Sequence, residues 1–186
     1  RALPQLKVEE ELATIRNSGC EVLSRAATVQ NLRTLIATAD CQVLHLALHC
    51  SSDHNQQLFL EDAQGKAHVL MGKDLRQLLV GGQTRQCISL VVLNACHSLS
   101  LGQHFVDAGV RHVVCVQDEK EVLDDSCRLY AQQLFSALRA GRSVQEAFEC
   151  GCTVLSCSDD PNHRKDAQSF VILPKDGDHS EILVAG

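Results

Sequence analysis

The chain has 186 residues, 45% hydrophobic and 22% charged, the balance of one globular domain with a real core and not of a disordered segment. Aromatic residues make up 3%, with no Trp and Tyr130 the single tyrosine, too few for the stacking platforms of a nucleic-acid reader. The net charge of −6 with His neutral likewise counts against a phosphate-binding surface.

Apolar runs and helical stripes alternate along the chain. Val8, Leu12 and Ile15 repeat at helical spacing and predict a first helix closing near Gly19. Cys20–Leu23 reads as a short strand. Thr28 is placed to cap a helix with Val29, Leu32, Leu35 and Ile36 on one face. Val43–Leu48 is apolar except for His45, as an interior strand would be. Gln57–Leu60 and His68–Leu70 flank the turn residues Glu61 to Lys66, a hairpin signature. Leu75, Leu78 and Leu79 mark a short helix ending at Gly81-Gly82. The run Ile88–Leu93 is apolar at every position but Ser89, which a parallel strand covered on both faces requires. A helix with Leu101, Phe105 and Ala108 follows, then the strand Val113–Val116. The long helix after it carries Leu123, Cys127, Tyr130, Leu134 and Leu138, and stops at Gly141. Ser143 and Glu146 form a capping box for a helix with Val144, Ala147, Phe148 and Leu155 inward. Phe170–Leu173 is a closing strand, ended by Pro174. These elements predict one α/β domain over residues 1–186 with a mostly parallel sheet.

Ten cysteines fall below the roughly 8–10% density of a disulfide scaffold. Cys20, Cys87 and Cys115 sit in apolar runs, where thiols act as small buried hydrophobes. No apolar run approaches the ~18 residues of a membrane span. No charged-then-apolar leader opens the chain, and Arg1-Ala2-Leu3-Pro4 reads as the start of an excised domain. A reduced, cytoplasmic protein is expected.

In open α/β sheets the chemistry gathers at the carboxyl ends of strands. Val43–Leu48 delivers His49, followed by Cys50-Ser51-Ser52-Asp53, and Ile88–Leu93 delivers Asn94-Ala95-Cys96-His97-Ser98. If the two strands are neighbours, His49 and Cys96 reach one edge, where an imidazole activates a thiol. Their separation of 47 positions matches the caspase-type spacing, with His roughly 50 residues upstream of Cys. On spacing alone, a structural role for Cys96 stands beside the catalytic one.

Other clusters point less far. Cys150, Cys152, Cys157 and His163 could be written as a zinc site, but Cys-x-Cys on a helix aims its thiols about 200° apart. His45 reads as a satisfied core residue. His97 points away from the Cys96 side if the chain stays extended. His104, His112, His163 and His179 read as surface or helix-end residues. No Gly-rich phosphate loop follows a strand.

The segments Leu44-His45-Leu46-Ala47-Leu48-His49 and Val91-Val92-Leu93-Asn94-Ala95-Cys96-His97-Ser98 resemble the histidine and nucleophile strands of the CHAT domains. These are caspase-like cysteine peptidases often joined to tetratricopeptide repeats. The resemblance extends to Leu58–Asp62 with Gly65-Lys66 (the hairpin), Asp74-Leu75, Ala108-Gly109-Val110 with Val113-Val114, Leu134 to Ala147, and Ala167–Val171. It implies a caspase-like sandwich, a mostly parallel central sheet with helices on both faces. It also implies a protein or peptide substrate, His49 as general base and Cys96 as nucleophile, with backbone N–H groups at the Cys96 end and at Cys50 as oxyanion donors. The family pattern has Gly after the histidine; here Cys50 stands, a residue that tolerates positive φ poorly. Neither metal nor organic cofactor is implied, nor a nucleic-acid or membrane partner. Regulatory domains in the same chain are, tetratricopeptide repeats among them. Of the acids Asp118, Glu119, Glu121, Asp124 and Asp125, Asp118 lies nearest the strand end, where relatives grip the residue before the cut; an acid there favours Arg or Lys. The alternative for these acids is a solvated loop and helix N-terminus.

Overall fold

The structure is a computed structural model describing residues 6–38, 40–51, 56–80 and 88–183. Helix α1 (Val8–Asn17) carries Glu9, Glu10 and Glu11 in its first turn, where carboxylates favour the helix dipole. It is followed by Gly19 at φ +83°. The Oγ1 of Thr28 accepts the Asn31 N–H at 3.0 Å and opens helix α2 (Val29–Thr38). Strands β1 (Val43–Ala47) and β2 (His49–Cys50) are separated by Leu48 alone. Strands β3 (Gln57–Glu61) and β4 (Ala67–Met71) form the expected hairpin. Its turn closes on the Asp62 carboxylate, which accepts the N–H groups of Gln64 and Lys66, each at 2.8 Å.

Helix α3 (Gly72–Val80), strand β5 (Leu90–Asn94), helix α4 (Leu99–Asp107) and strand β6 (His112–Val116) follow. Helix α5 (Asp124–Arg139) leads to α6 (Val144–Ser156), which opens on the predicted capping box. A short helix α7 (Pro161–Asp166) and strand β7 (Phe170–Leu173) complete the order. Three readings change. Cys20–Leu23 forms no strand; Cys20 and Val22 instead pack on the core beneath α5. Helix α7 went unpredicted, although Asp160 before Pro161 is a helix-start signature. The apolar run through Leu48 is two strands in different sheets, not one. Gly81-Gly82, Cys87, Ser52 and Asp53 lie outside the described residues.

The central sheet has the order β1-β5-β6-β7, with β1, β5 and β6 parallel and β7 antiparallel to β6. The second sheet, β2-β3-β4, is antiparallel. Strands β5 and β6 are buried at every position, as the apolar runs Leu90–Leu93 and Val113–Val116 require. Alternation sorts them between two cores: Leu90 and Val92 face α1, α5 and α6, while Val91 and Leu93 face α2, α3, α4 and the hairpin. Helices thus cover both faces of a mostly parallel sheet, and the carboxyl ends of β1 and β5 open side by side.

Candidate active site

The register of β1 on β5 decides what meets at that edge. Val43 pairs with Leu90, and the pairing runs to Ala47 opposite Asn94, a constant offset of 47 positions. His49 and Cys96 share that offset, each two residues beyond the last pair. Each follows the carboxyl end of one of two neighbouring parallel strands. The chain leaves the central sheet at Leu48, and His49 enters the hairpin sheet opposite Phe59, with Cys50 opposite Leu58.

Cys96 sits in a tight turn between β5 and α4. His97 adopts φ +56°, a region that bulky L-residues seldom occupy. Ser98, fully buried, locks the turn: its hydroxyl donates to the Ala95 carbonyl at 2.7 Å and accepts the Val116 N–H at 3.0 Å. The thiol lies against the loop after β6. Its Sγ accepts the Val122 N–H at 3.3 Å, and the S–H donates to the Val122 carbonyl at 3.5 Å. Burial pushes the Cys96 thiol up; the Val122 bond works against this, while Glu121 and Asp124 add to the rise. Burial pushes the Cys50 thiol up further, to about 12, with smaller contributions from Cys96 and Asp118. Cys96 therefore rests as a neutral thiol.

Cys50 takes strand geometry, and among the described residues only Gln56 and His97 have positive φ without being glycine. The cysteine after the histidine is unstrained here. Because the Ser51 N–H bonds the Gln57 carbonyl at 3.1 Å, antiparallel alternation turns the Cys50 N–H away from β3. Asp118 follows β6, and its carboxylate accepts the Ser100 N–H at 3.1 and 3.2 Å and the Ser100 hydroxyl, holding the first turn of α4. The His97 ring does not follow an extended chain; its Nδ1–H donates to the Asp118 carbonyl, and Nε2 lies 3.8 Å from Glu121.

The remaining histidines divide. His45 bonds Glu11 through Nε2 at 2.8 Å, while its Nδ1 is buried with no partner among the described residues. His112 and His179 are not surface residues, being 1% and 5% exposed. The His112 Nδ1 lies 2.7 Å from the His179 Nδ1, and its Nε2 lies 2.8 Å from Glu181. The correction has a physical cause: a partner 69 positions away leaves no local trace. Ser98 and Val122 were missed for the same reason, since their roles depend on β6 and on the loop after it.

Cys20, Cys50, Cys96, Cys115, Cys127, Cys150, Cys152 and Cys157 are free thiols. No group of three or more His, Cys, Asp or Glu among those residues is placed to hold a metal ion, so Cys150, Cys152, Cys157 and His163 form no such group. Among the described residues no helix is long and apolar enough to cross a membrane. The sequence matches the family model described as the CHAT domain over residues 3–164. Comparison with curated proteins returns no match.

Proposed function

The chain belongs to the CHAT domain family, within the caspase-like peptidase superfamily, and from that premise we propose that it is a cysteine endopeptidase working through His49 and Cys96. The observation that carries this reading is the shared register offset of the two residues beyond β1 and β5. In the proposed reaction His49 takes the Cys96 proton as the sulfur attacks a peptide carbonyl carbon. Backbone N–H groups at Cys96 and Cys50 receive the oxyanion. The C–N bond breaks, the amine leaves with the proton from His49, and an acyl-enzyme remains. Water, deprotonated by the same imidazole, then releases the acid and restores the thiol.

The acids after β6 support a preference for Arg or Lys before the cut. Glu121 and Asp124 already act on the Cys96 thiol, and Asp118 stands at the strand end. We assign the domain to a cytoplasmic protein, as an effector whose partners are regulatory domains of the same chain, tetratricopeptide repeats among them. A second reading, a silent interaction module of the same fold, draws on the raised thiol and on Cys50 in the glycine position.

Labelling with a peptidyl acyloxymethyl ketone separates the two. Wild type is expected to label at Cys96 and Cys96→Ala not to; equal labelling of both proteins, with no peptide in a positional library cut, sinks the peptidase reading. Asp118→Asn removes a charge but keeps an oxygen for Ser100. It is expected to raise KM for basic substrates about 5–10-fold with little change in kcat, the size of one screened charge pair. An unchanged KM removes Asp118 from the pocket.

A further inference from the structure

Helix α1 carries a carboxylate to both strands that lead to the site, at the middle of β1 and the end of β5. The Glu11 side chain is 12% exposed, and its Oε1 accepts two hydrogen bonds. One comes from the Nε2–H of His45 on β1, at 2.8 Å. The other comes from the side-chain amide of Asn94, the last residue of β5. That amide also donates to the Cys127 carbonyl of α5 at 3.3 Å. His45 lies four residues before His49, and Asn94 two before Cys96. A single oxygen atom therefore ties the middle of the strand that leads to the proposed base to the end of the strand that leads to the proposed nucleophile.

The surroundings are tight and of mixed polarity, with Leu6 and Ala47 among the charged groups. A cavity of about 20 Å³ lies there, lined by Lys7, Glu11, Asn94, Asp124, Cys127 and Arg128, room for about one water molecule. The Oδ1 of Asn94 is buried with no partner among the described residues. Burial alone raises a carboxyl; the bond and charge of His45, with the Asn94 bond, outweigh it and hold Glu11 below its ordinary value. A buried carboxylate is a poor device for stability, since an apolar side chain of similar size often serves as well. What it adds is direction, because it fixes one side chain from each of the two strands at one point.

We propose that Glu11 is a positioning residue for Cys96 and His49, holding Asn94 and, through it, the turn that presents the thiol. The catalytic consequence rests on the peptidase reading; the fixing of the Cys96 turn does not. Without Glu11, Asn94 loses its main anchor and the turn loosens, so the thiol becomes easier to reach and harder to aim.

The test measures iodoacetamide alkylation of each cysteine by peptide mapping, together with kcat and KM. Exposed Cys150 and buried Cys115 serve as internal references. For Glu11→Ala, Cys96 is expected to alkylate about tenfold faster, a local opening, with Cys115 still protected and Cys150 unchanged. Turnover is expected to fall about 100-fold in kcat with KM held, the cost of misplaced groups. Glu11→Gln keeps an oxygen for both donors and is expected to restore both values to within about threefold of wild type, below half the energy of a typical tenfold effect. Should Glu11→Ala fail to fold, Glu11→Asp, one methylene too short for both bonds, is read in its place. Cys96 alkylation at the wild-type rate overturns the proposal, and so does equal acceleration at Cys115, which marks general loosening. If wild type cleaves nothing, the peptidase reading falls while the alkylation rates still decide the role of Glu11.

Discussion

Tyr130 has the largest fully buried side chain of the core, and its hydroxyl has no hydrogen-bond partner among the described residues. Its ring stacks on Phe170 with centroids 4.1 Å apart and planes 3° from parallel. The stacking and the burial are apolar gains, whereas the hydroxyl only costs desolvation. Tyr130→Phe is therefore expected to leave stability unchanged or raise it by about 1–2 kcal/mol, read as the midpoint of urea unfolding; a loss of that size would mean that the hydroxyl is bonded. The sequence marked Tyr130 as an inward helix residue but not as one with an orphaned hydroxyl. Helical periodicity reports which face a residue occupies, and says nothing of what waits there. His112 is the same case from the other side. Polar, and beside Arg111, it reads as surface until the chain returns with His179 and Glu181.

At the scale of elements, the packing of α5 on α6 turns on a missing side chain. A Cβ at Gly151 would stand 2.5 Å from Cε2 of Tyr130, and the rigid ring is held in place by its stacking on Phe170. Gly151→Ala is expected to cost about 1–3 kcal/mol through overpacking, visible as a lower unfolding midpoint. The start of α6 offers a contrasting test. Ser143 accepts the Glu146 N–H at 3.2 Å, and Glu146 returns to the Ser143 N–H at 2.9 Å. Ser143→Ala is expected to cost about 1 kcal/mol. That capping box was legible because both partners lie within one turn, and β5 was legible because burial on both faces writes itself as unbroken apolarity. The break at Leu48 was not. Leu48 is buried, 4% exposed, so hydrophobicity runs straight through a point where the hydrogen-bond partner changes from β5 to β3.

For the molecule as a whole, the last described residues act as a fastening. The Val144 N–H bonds the Glu181 carbonyl at 2.8 Å, and the Gln145 N–H bonds the His179 carbonyl at 2.9 Å. The Arg111 guanidinium lies 2.8 Å from Glu181, whose other oxygen holds His112. Burial is the main reason that His112 takes up its proton less readily than usual; His179 and Arg111 act in the same sense, and Glu181 opposes them. The unfolded chain protonates first, at an ordinary value of 6.5. The stabilisation is thus complete above that value and is lost as pH falls through the lower folded value. Thermal midpoints are expected to drop between pH 7.5 and 5, and the drop to shrink in His112→Gln; equal slopes in the two proteins would exclude His112 as the cause.

The break at Leu48 also has a mechanical side. Cys96 is anchored to the central sheet through β5 and Ser98, whereas His49 rides on the hairpin. The proposed base and nucleophile thus belong to different sheets, and Leu48 alone separates β1 from β2. A rigid displacement of the hairpin changes their separation while every pair of the central sheet stays intact. A force applied to β3 or β4 is therefore expected to act on the separation of the proposed base and nucleophile, resisted by the packing of Leu58, Leu60 and Leu70 in the core.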